Sequence, residues 1–256
     1  MSIRDLKDKV CLVTGSSRGI GAAVARGFGA AGALVAVHYN SARQEAEAVA
    51  RDVTTSGSRA HVLQGDISQA GTVERLLNET VSAFGRLDIL INNAGDLIRR
   101  YPVAETPDTF FDAQIATNVK PVFIACRGAI RQFRKQGGGG VIINLSSIAA
   151  RTGGGGGSAL YAASKAFVAT LTRALAKEVA GEGIRINAVS PGVVDTPMQH
   201  RTTPPEQIAA ALSAIPMQRM AAADECVGTF LYLASNELSG YVTGQVVEVN
   251  GGMLMP

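Results

Sequence analysis

Tyr161 and Lys165 stand four positions apart in YAASK, inside the run SALYAASKAFVATLTRALAKEVA. Residues i and i+4 of a helix lie side by side, so a helix here sets an ammonium beside a phenol oxygen. A free phenol has a pKa of about 10, so it is protonated at neutral pH but gives up its proton reluctantly. A cation a few ångströms away favours the phenolate and makes the phenol a better acid. Such a pair suits the protonation of an oxygen that gains negative charge, as a ketone oxygen does when its carbon is reduced. Taken alone, the five residues equally fit an amphipathic helix with one aromatic side chain in the core. Upstream, NLSS offers two serines, Ser146 and Ser147, either of which could hold that oxygen and stabilise its charge. They point to opposite sides if the strand runs through them.

A second group is the glycine-rich stretch TGSSRGIG, Thr14 to Gly21, between an apolar run and a helical one. Placed after a first strand, Gly15, Gly19 and Gly21 would permit a tight turn and a close backbone approach to a pyrophosphate at a helix N-terminus. The spacing is G-x-x-x-G-x-G rather than G-x-G-x-x-G, so the loop by itself is a modest signal. The end of the second strand should separate two nicotinamide cofactors: a carboxylate there accepts from the ribose of NAD, whereas a nearby Arg accommodates the 2′-phosphate of NADP. This strand ends VAVHYNSARQ, with no Asp or Glu before Glu45, and Arg18, Asn40, Ser41 and Arg43 lie around it. NADP(H) is therefore the expected cofactor.

The elements that would position these groups follow from hydrophobic periodicity. Strand-like runs occupy 9–14, 33–39, 59–64, 88–93, 140–146, 184–190 and 244–250, and helical patterns fill 19–31, 41–56, 69–84, 108–136, 158–181 and 224–235. Continuous β-branched runs suit strands buried on both faces of a parallel sheet. Strand–helix alternation predicts an α/β fold, a doubly wound parallel sheet of about seven strands with helices on both faces, in a single domain over 1–256. QGGGGV (136–141) predicts a helix end turning into a strand, and the five glycines of TGGGGGSAL (152–160) predict a flexible loop. Segment 196–222, rich in Pro, Met and Thr with one short helical pattern, predicts a lid-like excursion beside the substrate.

Composition narrows the partners. The 256 residues are 46% hydrophobic and carry a net charge of only +3, with Lys and Arg scattered, so a nucleic-acid surface is not expected. No apolar run approaches the ~20 residues of a membrane span. Cys11, Cys126 and Cys226 are far apart in apolar surroundings, which predicts buried free thiols rather than a disulfide framework or metal ligands. With a charged N-terminus lacking a signal core, the expected compartment is the cytoplasm.

Taken together, TGSSRGIG at 14–21, NNAG at 92–95, Asn118, NLSS at 144–147, YAASK at 161–165 and SPG at 190–192 resemble the short-chain dehydrogenase/reductase family, in its order and approximate spacing, over essentially the whole chain. Within that family the sequence looks most like the 3-oxoacyl-[acyl-carrier-protein] reductases. The resemblance implies a Rossmann-like homotetramer that moves hydride between NADP(H) and a carbonyl or secondary alcohol. Asn118, Ser147, Tyr161 and Lys165 would be its catalytic set, with Ser147 preferred to Ser146 and Asn118 positioning a water that links Lys165 to solvent. Gly15, Ser17, Arg18, Gly19, Ile20, Gly21, Tyr39, Asn40, Ser41, Asp66, Ile67, Asn92, Ala94, Gly95, Tyr161, Lys165, Pro191, Gly192, Val194 and Thr196 would contact the cofactor. The first substrate class is a 3-oxoacyl thioester; the alternatives are a sugar, polyol or other small ketone.

Two rival classes remain. A dinucleotide-binding regulator would not need the intact catalytic set, and a nucleotide-sugar epimerase would need a larger substrate domain than this chain has room for. His38, His61 and His200 have no partner at metal spacing, so no metal site is expected. Arg99 and Arg100 read as solvated loop charges.

Overall fold

The computed structural model of the chain describes residues 3–255. Its first half alternates β1 (Val10–Val13), α1 (Gly19–Ala30), β2 (Leu34–Tyr39), α2 (Arg43–Thr55), β3 (Ala60–Gln64), α3 (Thr72–Phe84) and β4 (Ile89–Asn92). Next come α4 (Asp108–Asn118), α5 (Lys120–Gln136), β5 (Gly140–Leu145), the one-turn α6 (Ala149–Thr152), α7 (Ala159–Val179) and β6 (Ile184–Pro191). The chain then passes through α8 (Pro197–Thr202), α9 (Pro205–Ala214), α10 (Val227–Ala234), α11 (Asn236–Ser239) and β7 (Val246–Val249). The strands form one seven-stranded sheet in the order β3-β2-β1-β4-β5-β6-β7, every pair parallel. All seven expected strands are present, each within two residues of the range read from the sequence.

Alternation within the strands feeds two cores. Cys11, Val13, Ile89, Ile91 and Ile143 pack on one face with Phe28 of α1 and Phe230 of α10. Leu12, Leu90, Ile142 and Ile186 pack on the other with Leu76 and Leu77 of α3 and Phe133 of α5. Chain direction across the sheet reverses between β1 and β4, which opens a crevice at their carboxyl ends, where ligands bind in sheets of this type.

Three elements differ from the sequence expectation. The helical pattern over 108–136 is two helices, broken at Val119 (φ −111°, ψ −65°). Pro121 in the first turn of α5 has no N–H for the preceding ladder, so the break falls at Asn118 and leaves that residue at a helix end. The excursion after β6 contains two helices, not one. Thr196 caps α8, accepting from the Gln199 N–H at 3.3 Å, with Pro197 in the first turn, and Pro205 opens α9. The glycine stretch at 153–157 is a held loop: Ser158 Oγ donates to Gly155 O at 2.6 Å, Arg100 Nη1 to Gly156 O at 2.9 Å and the Tyr101 N–H to Gly157 O at 2.9 Å. Gly157 sits at φ +72°, and a Cβ there would lie 3.0 Å from the Tyr101 nitrogen, so glycine is required for that contact. The helix end expected near 136 is present, with Gly137 in the left-handed region (φ 71°) closing α5.

A buried amide chain ties the helix carrying YAASK to the centre of the sheet. Asn92 Nδ2 on β4 donates to Asn144 Oδ1 on β5 at 2.8 Å, and Asn144 Nδ2 donates to Thr172 Oγ1 on α7 at 2.9 Å. Asn144→Val removes the shared partner of Asn92 and Thr172, leaving Asn92 a long contact to Cys126 Sγ and Thr172 its bond to Val168 O, so urea unfolding should show a loss of about 1–3 kcal/mol. A loss within error would mean that this chain of amides does not anchor α7.

Candidate active site

At the carboxyl ends of β1 and β4 the loop Thr14–Arg18 folds tightly against Asn93 and Ala94. Gly15 holds φ +64°, and a Cβ on it would sit 2.9 Å from the Ala94 Cα. Asn93 Nδ2 donates to Thr14 O and Gly15 O, both at 2.9 Å, and would meet a Cβ on Gly21 at 2.3 Å. Arg18 precedes α1 without capping its amides through a side chain. The glycines thus leave a backbone cradle at a helix N-terminus, with free N–H groups and the positive end of the helix dipole. A phosphate fits such a cradle.

His38 was read as an isolated histidine, and the structure gives it a place in this cradle. It is buried, its Nδ1 accepts from the Gly15 N–H at 2.9 Å, and its Nε2 lies 2.9 Å from Gly65 O. Acceptance at Nδ1 fixes the neutral Nε2–H tautomer. Burial lowers its pKa, and the Arg75 charge adds to this against opposing effects of Gly65 and Asp66. One imidazole therefore joins the ends of β1, β2 and β3. The strand-end position facing the glycine loop was the signal that could have found it.

From this cradle a cleft of about 620 Å³ runs along the strand ends. Of the cofactor set named from the resemblance, Gly15, Ser17, Arg18, Gly19, Ile20, Gly21, Asn40, Ser41, Asp66, Ile67, Ala94, Gly95, Tyr161, Pro191, Gly192, Val194 and Thr196 line it. Three do not. Tyr39 packs against the hydrophobic core, Asn92 points into the sheet toward Asn144, and Lys165 lies behind the wall. Sequence reasoning missed Ser68, Asp96, Gln199 and Arg201, which also line the cleft. Burial pushes the Asp66 carboxyl up, but hydrogen bonds from Ser68 and Gln69 leave it below its usual value. Arg18 does not stand free: its guanidinium pairs with Glu45 on the first turn of α2.

The other end of the cleft holds the residues expected to act as acid and base. Ser147 and Tyr161 both line it. Ser146 also borders the cleft, but its hydroxyl is buried and committed to Lys165 O at 3.0 Å, whereas Ser147 Oγ is not held in that bond. Burial raises the Tyr161 phenol to about 12, with Ser147 opposing and the charge of Asp96 reinforcing the rise. The downward pull expected from Lys165 is not among the influences on this phenol; loss of water, which penalises the phenolate, dominates. Burial also lowers Lys165, to about 8. Its Nζ donates to Leu145 O at 2.8 Å and lies 5.6 Å from the Tyr161 ring centroid. Asn118, buried at the end of α4, sits beneath this pair and outside the cleft, bonded on both sides to the Asp96 backbone. Among the described residues no group of three or more potential ligands could hold a metal, the three cysteines are free and buried, and no helix is long and apolar enough to cross a membrane.

Comparison with known proteins agrees with this geometry. The family described as "Enoyl-(Acyl carrier protein) reductase" matches residues 15–254. A 3beta-hydroxysteroid dehydrogenase of Eggerthella lenta is 40% identical over 98% of this chain and 95% of its own length. A 3-oxoacyl-[acyl-carrier-protein] reductase of Synechocystis is 36% identical over 98% of each chain. The solved structure of the NADH-dependent reductase A1-R′ complexed with NAD superposes with a TM-score of 0.88 at 32% identity, over 99% of this chain and 100% of that one. The chain belongs to the short-chain dehydrogenase/reductase family of oxidoreductases, which use a nicotinamide cofactor.

Gly95 keeps the Lys165–Asn118 corner open: a Cβ there would stand 2.8 Å from Asn118 Oδ1 and 3.3 Å from Lys165 Nζ. Gly95→Ala should therefore cut kcat more than tenfold, on the order of the loss expected when catalytic groups are displaced by a fraction of an ångström, with the circular-dichroism spectrum unchanged. Full activity would show that the corner is not part of the working site.

Proposed function

We propose that this enzyme reduces a carbonyl group with NADPH, and that its first substrate class is a 3-oxoacyl thioester. The reading is carried by the convergence of Ser147 from the end of β5 and Tyr161 from α7 at one end of the cleft that begins at the glycine cradle. The bound nicotinamide supplies hydride to the carbonyl carbon. Ser147 Oγ hydrogen-bonds the carbonyl oxygen and stabilises its growing charge. Tyr161 Oη donates the proton that turns this oxygen into a hydroxyl. Its pKa near 12 keeps the phenol protonated until that moment. Lys165 then sets its charge against the phenolate left behind and passes a proton back toward it from solvent, while Asn118 holds the backbone of residues 95–96 beneath the pair. In sum, a ketone, the reduced cofactor and one proton give the alcohol and the oxidised cofactor.

Three observations support NADPH over NADH: β2 ends without a carboxylate, Asn40 and Ser41 line that end of the cleft, and Arg18 stands beside them. Glu45 occupies Arg18, but both side chains are about half exposed, 53% and 44%, and such pairs are worth little. A 2′-phosphate can therefore displace the carboxylate.

A bulkier apolar ketone is the second substrate reading, favoured by Ile98, Val194 and Met198 along the cleft and by the hydroxysteroid-dehydrogenase relative. Sugars and polyols stay in the comparison panel. A homotetramer fits the exposed Phe111, Phe123 and Phe167 on α4, α5 and α7, and the exposed Tyr241 and Met255 near the C-terminus. Residues 196–222, with α8 and α9, would act as the lid over the substrate. A cytoplasmic location suits three unpaired thiols.

Loss of absorbance of the reduced nicotinamide, followed with an acetoacetyl thioester, a hydroxysteroid ketone and a sugar panel, tests substrate and mechanism together. Tyr161→Phe should lower turnover at least 100-fold, on the order of the contribution of general acid catalysis, while NADPH still binds; comparable turnover would remove Tyr161 from the acid role. Arg18→Ala should weaken NADPH about tenfold more than NADH, the loss of one charge-assisted phosphate contact. Equal weakening of both would overturn the NADP assignment.

A further inference from the structure

The loop after β4 carries a carboxylate, Asp96, at a point where the catalytic end and the excursion after β6 meet. Asn118 grips its backbone from both sides: Oδ1 accepts from the Asp96 N–H at 2.9 Å and Nδ2 donates to Asp96 O at 2.8 Å. The side chain accepts from the Ile98 N–H at 2.9 Å. Ile98 itself stands at φ 60°, a left-handed conformation that a β-branched residue adopts only where its surroundings hold it. The loop is thus fixed in one shape before the excursion reaches it.

Arg201, in the last turn of α8, completes the arrangement. Its Nη2 lies 2.6 Å from both Asp96 oxygens, and its Nη1 donates to Ile98 O at 3.1 Å. Arg100, two residues beyond Ile98, reaches the same helix end. Its Nε donates to Thr202 O at 2.8 Å, its Nη2 to Thr203 Oγ1 at 3.2 Å and its Nη1 to Gly156 O at 2.9 Å. The sequence reading of Arg100 as a solvated charge is corrected by these contacts.

Neither α8 nor α9 has a fully buried residue. Apart from the buried Thr203 and Ile215 at their C-terminal ends, the two helices have little apolar anchorage, so polar ties carry much of their attachment. Asp96, Ile98 and Arg201 also line the cleft with Tyr161, so the ties lie at the substrate end rather than on a remote surface.

We propose that Arg201 is a positioning residue for the reaction: its ion pair with Asp96 latches α8 over the substrate end of the cleft, onto the same stretch of backbone that Asn118 fixes. The lid and the Asn118-held loop then share one anchor, and the ion pair sets a cation against a carboxylate that lines the cleft with Tyr161. Arg201 is half exposed, so the latch is reversible and can open to admit substrate and release product. The proposal rests on the reading of this cleft as a carbonyl-reducing site, but its first test does not.

Hydrogen exchange over 196–214 in the intact enzyme reads the latch directly. Arg201→Met should speed exchange in that segment about three- to fivefold, the population change expected from losing one half-exposed ion pair, with β1–β6 unchanged. Arg201→Lys, which keeps a charge within reach of Asp96, should restore most of the protection. Asp96→Asn should match Arg201→Met, and the double variant should be no worse than either single one. With NADPH and acetoacetyl-coenzyme A, Arg201→Met should raise KM about fivefold while leaving kcat within about twofold, the pattern of lost uniform binding. Unchanged exchange in Arg201→Met, or additive effects of the two single variants, would overturn the latch. Should Tyr161→Phe keep its turnover while exchange responds as described, the carbonyl-reduction reading falls and the latch stands. If Tyr161→Phe is inactive and Arg201→Met exchanges like the parent enzyme, only the latch falls.

Discussion

The buried ammonium of Lys165 is the constraint around which this molecule is arranged. A cation removed from water is costly, and its fall to about 8 records that cost. The fold meets it with the Leu145 carbonyl at the end of β5, with a glycine at 95 that makes room for Nζ, and with Ser146 locking the backbone of Lys165 itself. The same burial holds Tyr161 protonated. One desolvated corner therefore holds a phenol that keeps its proton and, beside it, a buried ammonium, the pairing on which the proposed acid chemistry rests.

The parallel sheet is what brings that corner to the cofactor cradle. β1 and β4 are neighbours in the sheet but nearly eighty residues apart in sequence, so the glycine loop and NNAG meet only through strand pairing. His38 extends the same logic to β2 and β3, fixing the loop through two hydrogen bonds of one neutral ring. The amides of Asn92 and Asn144 carry it toward α7. Positioning in this protein is thus done largely by buried polar groups whose partners come from different strands, and each is expensive to leave unpaired.

The rim of the cleft obeys different physics. α8 and α9 contribute no buried side chain and are tied to the body by Arg201 and Arg100. Such contacts are individually weak and exchange readily with water. A stable core beneath a loosely tied rim is the division expected where substrate must enter and product must leave.

Much of this was legible in the sequence. Continuous apolar runs located all seven strands: the five inner ones are largely buried on both faces and rich in β-branched residues, and the edge strands β3 and β7 kept enough apolar residues to be found although they are only partly buried. The glycine loop and YAASK were legible because a phosphate cradle and an i, i+4 acid pair each require particular residues at local spacing. What the sequence could not show depended on contacts between distant segments. The break at Asn118, the bond that commits Ser146, the role of His38 and the pairing of Arg18 with Glu45 all follow from which surfaces pack together. The glycine tract at 153–157 looked like a free loop, because the Arg100 and Tyr101 groups that hold it lie more than fifty residues upstream. Local chemistry and periodicity were determined by the sequence alone, since each is set within one turn or one strand; direction, burial and charge pairing were decided by the tertiary structure, since each depends on what the fold brings alongside.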